Sequence, residues 1–225
     1  MPLNPKKTIL YPLIGVDVAL FCIEGQGLKA LLVQRSQEPH SAQWALPGGL
    51  LKPDLDASLE DAAKRILRNK IVVDVPHLKE VCTFSGPNRD PRGWSISVLF
   101  YALLPRDQIN ALINNKVEAV KWDDAAEPAQ PLAFDHQQQL QTALQILREK
   151  VELHNLPLHL MPTLFTLTQL QQTCEAILGR SLDKSVFRRR LKQEAHSRSL
   201  IDTNQKETGL QRPATLYRAR PGFDF

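Results

Sequence analysis

The 225-residue sequence predicts a mixed α/β domain over residues 1–152, a linker over 153–163 and a smaller, basic domain over 164–225. Three observations carry this expectation. Runs of β-branched residues and leucine alternate with amphipathic helical stretches through the first two thirds of the chain. Two prolines then interrupt the pattern in LHNLPLHLMPT, Leu153–Thr163. Beyond that break the charge changes: residues 1–159 hold 17 Lys and Arg against 18 Asp and Glu, and residues 160–225 hold 11 against 6. Such an excess is the electrostatic footprint of nucleic-acid binding, or simply a solvated basic surface.

The elements follow in order. LIGVDVALFCI and LKALLVQRS are strand-like and joined by EGQG, a hairpin signal. A helix is expected from about Ser58 to Lys70, then strands in LKEVCTFSG, WSISVLFYALL and VEAVKW. Leu140, Ala143, Leu144, Leu147 and Val151 keep the i, i+3, i+4 spacing of one buried helix face over Asp135–Glu152. After the linker, Leu167, Leu170, Cys174, Ile177 and Leu178 share a helix face, and Gly179 stands as its C-terminal stop. LDKSVFRRRLKQEA forms a second, short helix with Asp183 as N-cap. LIDT and ATLYRA are short strands around NQKETGLQRP, so the order suggests a winged helix-turn-helix.

Composition bounds the function classes. With 43% hydrophobic and 23% charged residues the chain is globular. Cys22, Cys82 and Cys174 are far apart and form no CxxC, which argues against a disulfide framework or structural zinc and fits a reducing cytosol. No signal-peptide or membrane-spanning run is present, so a cytoplasmic location without membrane contact is expected.

The stretch WALPGGLLKPDLDASLEDAAKRILRNKIVV, Trp44–Val73, resembles the box of the Nudix hydrolases. Starting at Gly49 and allowing a two-residue insertion, the box arginine falls on Arg65 and its aliphatic position on Leu67. The acidic positions depart from the family: Ala57, Ile66, Asn69 and Lys70 stand where the resemblance puts glutamates, and Val72 replaces the closing glycine. Positions 66, 69 and 70 share one helix face. In the family that face gathers carboxylates on divalent cations, which hold and polarise a phosphoryl group. An aliphatic side chain, an amide and an ammonium cannot do so, and hydrolysis by that mechanism is expected to be absent or residual. Lys70 is a candidate counter-charge for a diphosphate in place of the metal. Arg89, Arg92 and Trp94 in GPNRDPRGWSISV, and Phe134 and His136 in PLAFDH, are candidate pocket residues, with Arg35 in LLVQRS, Trp44 in WALPGG and the box Arg65. Arginines suit phosphate oxygens and aromatics suit a base or ribose face.

In the second domain Phe187, Leu191 and Ala195 recur every four residues and are expected to face its core. Ser185, Arg189 and Lys192 then face outward, with Lys184, Arg188 and Arg190 beside them and Arg212 near the wing tip. The pattern suits a recognition helix whose central side chains reach base edges while flanking cations neutralise phosphates.

Together the degenerate box, RDPRGW, PLAFDH, SVFRRRL, LIDT and RPATLY look like the Nudix-related transcriptional regulators (NrtR). The resemblance covers nearly the whole chain. It implies an α+β Nudix sandwich with a winged helix-turn-helix, and a homodimeric repressor of NAD-metabolism genes on a palindromic operator. It also implies ADP-ribose as effector, and the missing carboxylates point to the branch that does not hydrolyse it, with no cofactor or metal required. The alternative is an ADP-ribose or nucleoside-diphosphate pyrophosphohydrolase with an appended basic domain.

Overall fold

The strand-like runs of the first domain assemble into one mixed sheet. The computed structural model describes residues 11–71, 75, 77–105, 108, 119–153, 157–192, 199–207 and 213–222, side chains 70 and 71 excepted. The strands are β1 (Leu13–Glu24), β2 (Gly27–Gln34), β3 (Trp44–Ala45), β4 (Gly48–Leu50), β5 (His77–Gly86), β6 (Ser95–Leu103) and β7 (Val120–Asp124). They lie in the order β3-β2-β1-β6-β5, with β4 also on β1 and β7 also on β2. β1 and β6 run parallel, and the other pairs are antiparallel. The EGQG turn closes the β1–β2 hairpin with Gly25 at φ 61°, a left-handed value that glycine adopts at no steric cost.

Strand periodicity sends alternate residues to opposite faces. Val16, Val18, Leu20 and Cys22 of β1, with Val98, Phe100 and Ala102 of β6, pack against α1 (Leu59–Ile71). Ala19 and Phe21, with Leu99, Tyr101 and Leu103, pack on the other side against α2 (His136–Glu152). The predicted α2 face is buried as its spacing requires: Leu140, Ala143, Leu144, Leu147 and Val151.

In the second domain α3 (Leu167–Leu178) opens with a reciprocal capping box. Thr166 Oγ1 accepts from the Gln169 amide while Gln169 Oε1 accepts from the Thr166 amide. Gly179 ends the helix at φ 69°. α4 (Lys184–Leu191) is capped by Asp183, which accepts from the Val186 amide at 2.8 Å. A three-stranded sheet follows, β8 (Phe165–Thr166)–β10 (Thr215–Ala219)–β9 (Leu200–Lys206). β8 was not expected from the sequence, where two residues are too few to show a period. Ala195 and the wing-tip Arg212 lie outside the described residues.

The segment expected as a linker is packed over its described residues from Pro157 onward. Leu153 is exposed, but Pro157 opens a 3₁₀ turn at Leu158–Leu160, and Leu158, Leu160 and Met161 are buried. They belong to one apolar core that runs from Phe21 and Leu103 in the sheet, through Leu147 and Val151 of α2, to Phe165, Leu170, Ile177 and Phe187. Continuous burial makes α2 a shared wall of both domains, and residues 158, 160 and 161 pack into that wall.

Candidate functional site

A cleft of about 360 Å³ opens beside the Gly48–Gly49 turn, between the N-terminal halves of β1 and β6 and the start of α2. Here the α2-facing side of the sheet turns polar: the apolar series of odd positions ends in Asp17 on β1 and in Ser95 and Ser97 on β6. Asp17 is buried, and its Oδ2 accepts from Ser97 Oγ at 2.5 Å and from Gln139 Nε2 at 3.1 Å. Its Oδ1 rests against Gly48, where any Cβ would land on that oxygen.

The first turn of α2 contributes three polar side chains from one end. Asp135, its N-cap position, takes a bidentate ion pair from Arg89 at 2.9 Å on both oxygens, and a hydrogen bond from Gln139 at 2.9 Å. Burial alone pushes the Asp135 carboxyl up, but the bonds from Arg89 and Gln139 outweigh it and hold it below the usual carboxylate range. His136 is buried, and its Nδ1 accepts from the Leu46 amide at 2.9 Å, so its proton sits on Nε2, 3.6 Å from Asp17 Oδ1. Burial pushes the His136 pKa down and keeps the ring neutral.

The mouth is cationic and aromatic. Arg35 lies 4.6 Å over the Phe134 ring and donates to the carbonyls of Pro39 and Gln37. Burial, and then the neighbouring Arg92, push its pKa down. Phe134 sits at φ 54°, a left-handed value costly for a bulky residue, with His40 edge-on at 4.6 Å. Arg92 pairs with the buried Asp90 at 2.7 Å, and this bond holds the Asp90 carboxyl low.

Five sequence candidates therefore line one cleft: Arg35, Arg89, Arg92, Phe134 and His136. Three others do not, and each has a physical reason. Arg65 is drawn into a bidentate pair with Asp56, at 2.6 and 2.8 Å, and donates to the Leu50 carbonyl, so it closes the loop behind the cleft. That bond lowers the Asp56 pKa to about 2. The ring of Trp44 is taken by the Lys121 ammonium, 4.5 Å from its centroid. Trp94 stands outside the cleft, 48% exposed. The Lys70 side chain lies outside the described residues. Sequence reasoning missed Asp17, Asp90, Ser95, Ser97 and Gln139. The signal for the first was available, since a carboxylate inside VDVALF interrupts a strand apolar on both faces.

On the box helix, Ile66 is 3% exposed and packs in the core under Gly49, with its Cγ1 3.5 Å from where a Gly49 Cβ would stand. Asn69 is exposed. The nearby acids are engaged: Glu60 with Lys64 at 2.6 Å, and Asp61 with Ser58. Among the described residues no three His, Cys, Asp or Glu side chains are placed to share a metal ion. This donor set does not fit a divalent cation.

On α4, Lys184, Ser185, Arg189 and Lys192 are exposed as expected. Arg190 is a correction. Half buried, it donates to the Val151 carbonyl at 2.8 Å and so ties α4 to the end of α2 instead of to solvent. Arg188 reaches back to Thr168 Oγ1 at 3.5 Å. Arg180 pairs with Glu152, and Arg148 donates to the Ile177 carbonyl, which closes the same joint from two more sides.

Residues 13–143 match the NUDIX domain model, and residues 157–219 match the NrtR DNA-binding winged helix domain. The chain belongs to the NrtR family. It is 40% identical over 216 residues to the ADPR responsive transcriptional repressor NtrR of Acinetobacter baylyi, covering 95% of this chain and 85% of that one. Shewanella oneidensis NrtR complexed with a 27mer DNA superposes with a TM-score of 0.82 at 38% identity, covering 92% and 94% of the two chains. The NUDIX domain of that NrtR complexed with ADP ribose matches at TM-score 0.54 and 38% identity, over 64% of this chain and 94% of that one. The NrtR architecture thus extends over both domains described here.

Proposed function

We propose that this chain is a transcriptional repressor that binds ADP-ribose without cutting it and releases its operator in response. The similar Acinetobacter repressor and the Shewanella complexes with DNA and with ADP ribose support the two ligands. The family resemblance supports genes of NAD metabolism as targets. One observation carries the reading: a single helix, α2, holds Asp135, His136 and Gln139 at the cleft and receives Arg190 of α4 at its other end.

The cleft is built for exchange. Arg89 and Arg92 are each held by an aspartate, so an entering diphosphate competes with Asp135 and Asp90 for the same guanidinium forks. Taking Arg89 releases the residue that starts α2. The free and bound cleft then differ at the helix that braces the DNA-reading unit, which is the differential contact an effector requires. Coupling of about 1–3 kcal/mol is ordinary for such a device. Cleavage is not supported, because Ile66 fills the place of a metal ligand with buried hydrocarbon. Lys70 serves as counter-charge, and Lys70→Glu is expected to weaken ADP-ribose binding in chelator.

A homodimer on a palindromic operator sets two copies of α4 about 34 Å apart, one DNA turn. The test is a mobility shift with the DNA upstream of the protein's own gene, with and without ADP-ribose, in EDTA and in Mg²⁺. Release by ADP-ribose in EDTA supports the reading. AMP production at ordinary enzymatic rates favours the pyrophosphohydrolase instead.

A further inference from the structure

The structure separates the three arginines of α4: Arg190 is tied to Val151 and Arg188 to Thr168, and Arg189 alone of the three stands exposed. The Ser185 hydroxyl is also committed, donating to Asp183 at 2.5 Å within the cap. Next to it Val186 is 52% exposed, although Phe187 and Leu191 take the buried side of the helix. A lone exposed apolar side chain is ordinary on a surface. This one is β-branched, a poor choice for a short helix on propensity, and it lies in the first turn of the helix that reads DNA.

Val186 and Arg189 are spaced i, i+3 and so share one side of α4. Three residues advance a helix by about 4.5 Å, close to the roughly 3.4 Å between successive bases of one strand. In the major groove an arginine fork matches guanine O6 and N7, and the one apolar feature is the thymine 5-methyl group. Resting on the repressor reading above, we propose that Val186 reads the 5-methyl of a thymine while Arg189 holds the neighbouring guanine. Lys184 and Lys192, exposed at the two ends of the helix, then meet phosphates.

The test uses the full-length protein and a duplex selected by it from a random-sequence pool. Each thymine is replaced in turn by deoxyuridine, which removes only the methyl group. At one thymine per half-site, beside a guanine, affinity is expected to fall about fourfold, the value of one buried methyl. Val186→Ser removes that difference at the same thymine, and Val186→Thr, which keeps one methyl, retains part of it. Equal binding of thymine and uracil at every position, or a difference that survives in Val186→Ser, overturns the assignment while leaving the repressor intact. Failure to select any specific duplex overturns both.

Discussion

Two neighbouring glycines face two different surroundings. The absent side chain of Gly48 makes room for Asp17 and the polar cleft, whereas that of Gly49 abuts Ile66 and the apolar core beneath α1. On the α2 side of the turn, charge and hydrogen bonds are concentrated: Arg89, Asp135, Gln139, Asp17 and His136. On the α1 side the position aligned with a metal-binding glutamate has become packing. The proposed reading puts most ligand contacts on the α2 wall, and Ile66 on the α1 wall contributes packing.

Substitutions on the two walls should separate accordingly. The largest effect is expected from Arg89→Ala, which removes the ion pair of Asp135 and leaves its carboxylate with only the Gln139 hydrogen bond. Broken buried pairs cost roughly 3–5 kcal/mol, and partial exposure places this one near the lower end. ADP-ribose binding, read by calorimetry, should be lost with it. Ile66→Ala should cost about 2–3 kcal/mol in denaturant unfolding, yet leave ADP-ribose affinity unchanged. A fall in affinity there would show that the Ile66 packing itself serves the ligand. Gly48→Ala should cost roughly 1–3 kcal/mol by overpacking against Asp17 and impair the response, while Gly49→Ala, meeting Ile66 at ordinary contact distance, should be mild by thermal unfolding. Arg190→Met should leave ligand binding intact but cut the coupling to DNA release by about 0.5–2 kcal/mol, measured as the shift in operator affinity between ligand-free and saturated protein.

The pH dependence gives the smallest effect and its sign is fixed by burial. His136 stays neutral in the fold with its pKa pushed down, while in the unfolded chain it titrates near 6.5. As pH falls below about 6.5 the unfolded state takes up a proton that the folded state refuses. Stability is therefore full above that pH and declines toward the folded pKa, by at most about 1.4 kcal/mol per unit. His136→Gln should remove this slope in unfolding curves taken from pH 7 to 5.

Much of this was legible in the chain. The i, i+3, i+4 series from Leu140 to Val151 located α2, and Asp183 and Gly179 marked helix ends through local capping that needs no tertiary partner. Side-chain roles were readable only where local chemistry decided them. Arg65 and Arg190 carry the same charge as Arg89 and Arg189, and their assignments turned on Asp56 and on the Val151 carbonyl 39 residues away. A backbone acceptor leaves no trace in a sequence. The packed segment around Leu158 and Leu160 was hidden for a related reason, since its prolines mark a break in helix but not whether the break is buried.

The central claim is that the cleft binds ADP-ribose, leaves it whole and thereby frees DNA. Fluorescence anisotropy of labelled operator bound to the protein, with ADP-ribose added in EDTA and the nucleotide then recovered, tests it in one experiment. The account predicts loss of anisotropy with intact ADP-ribose recovered. Release that requires Mg²⁺ and accompanies AMP formation would contradict it.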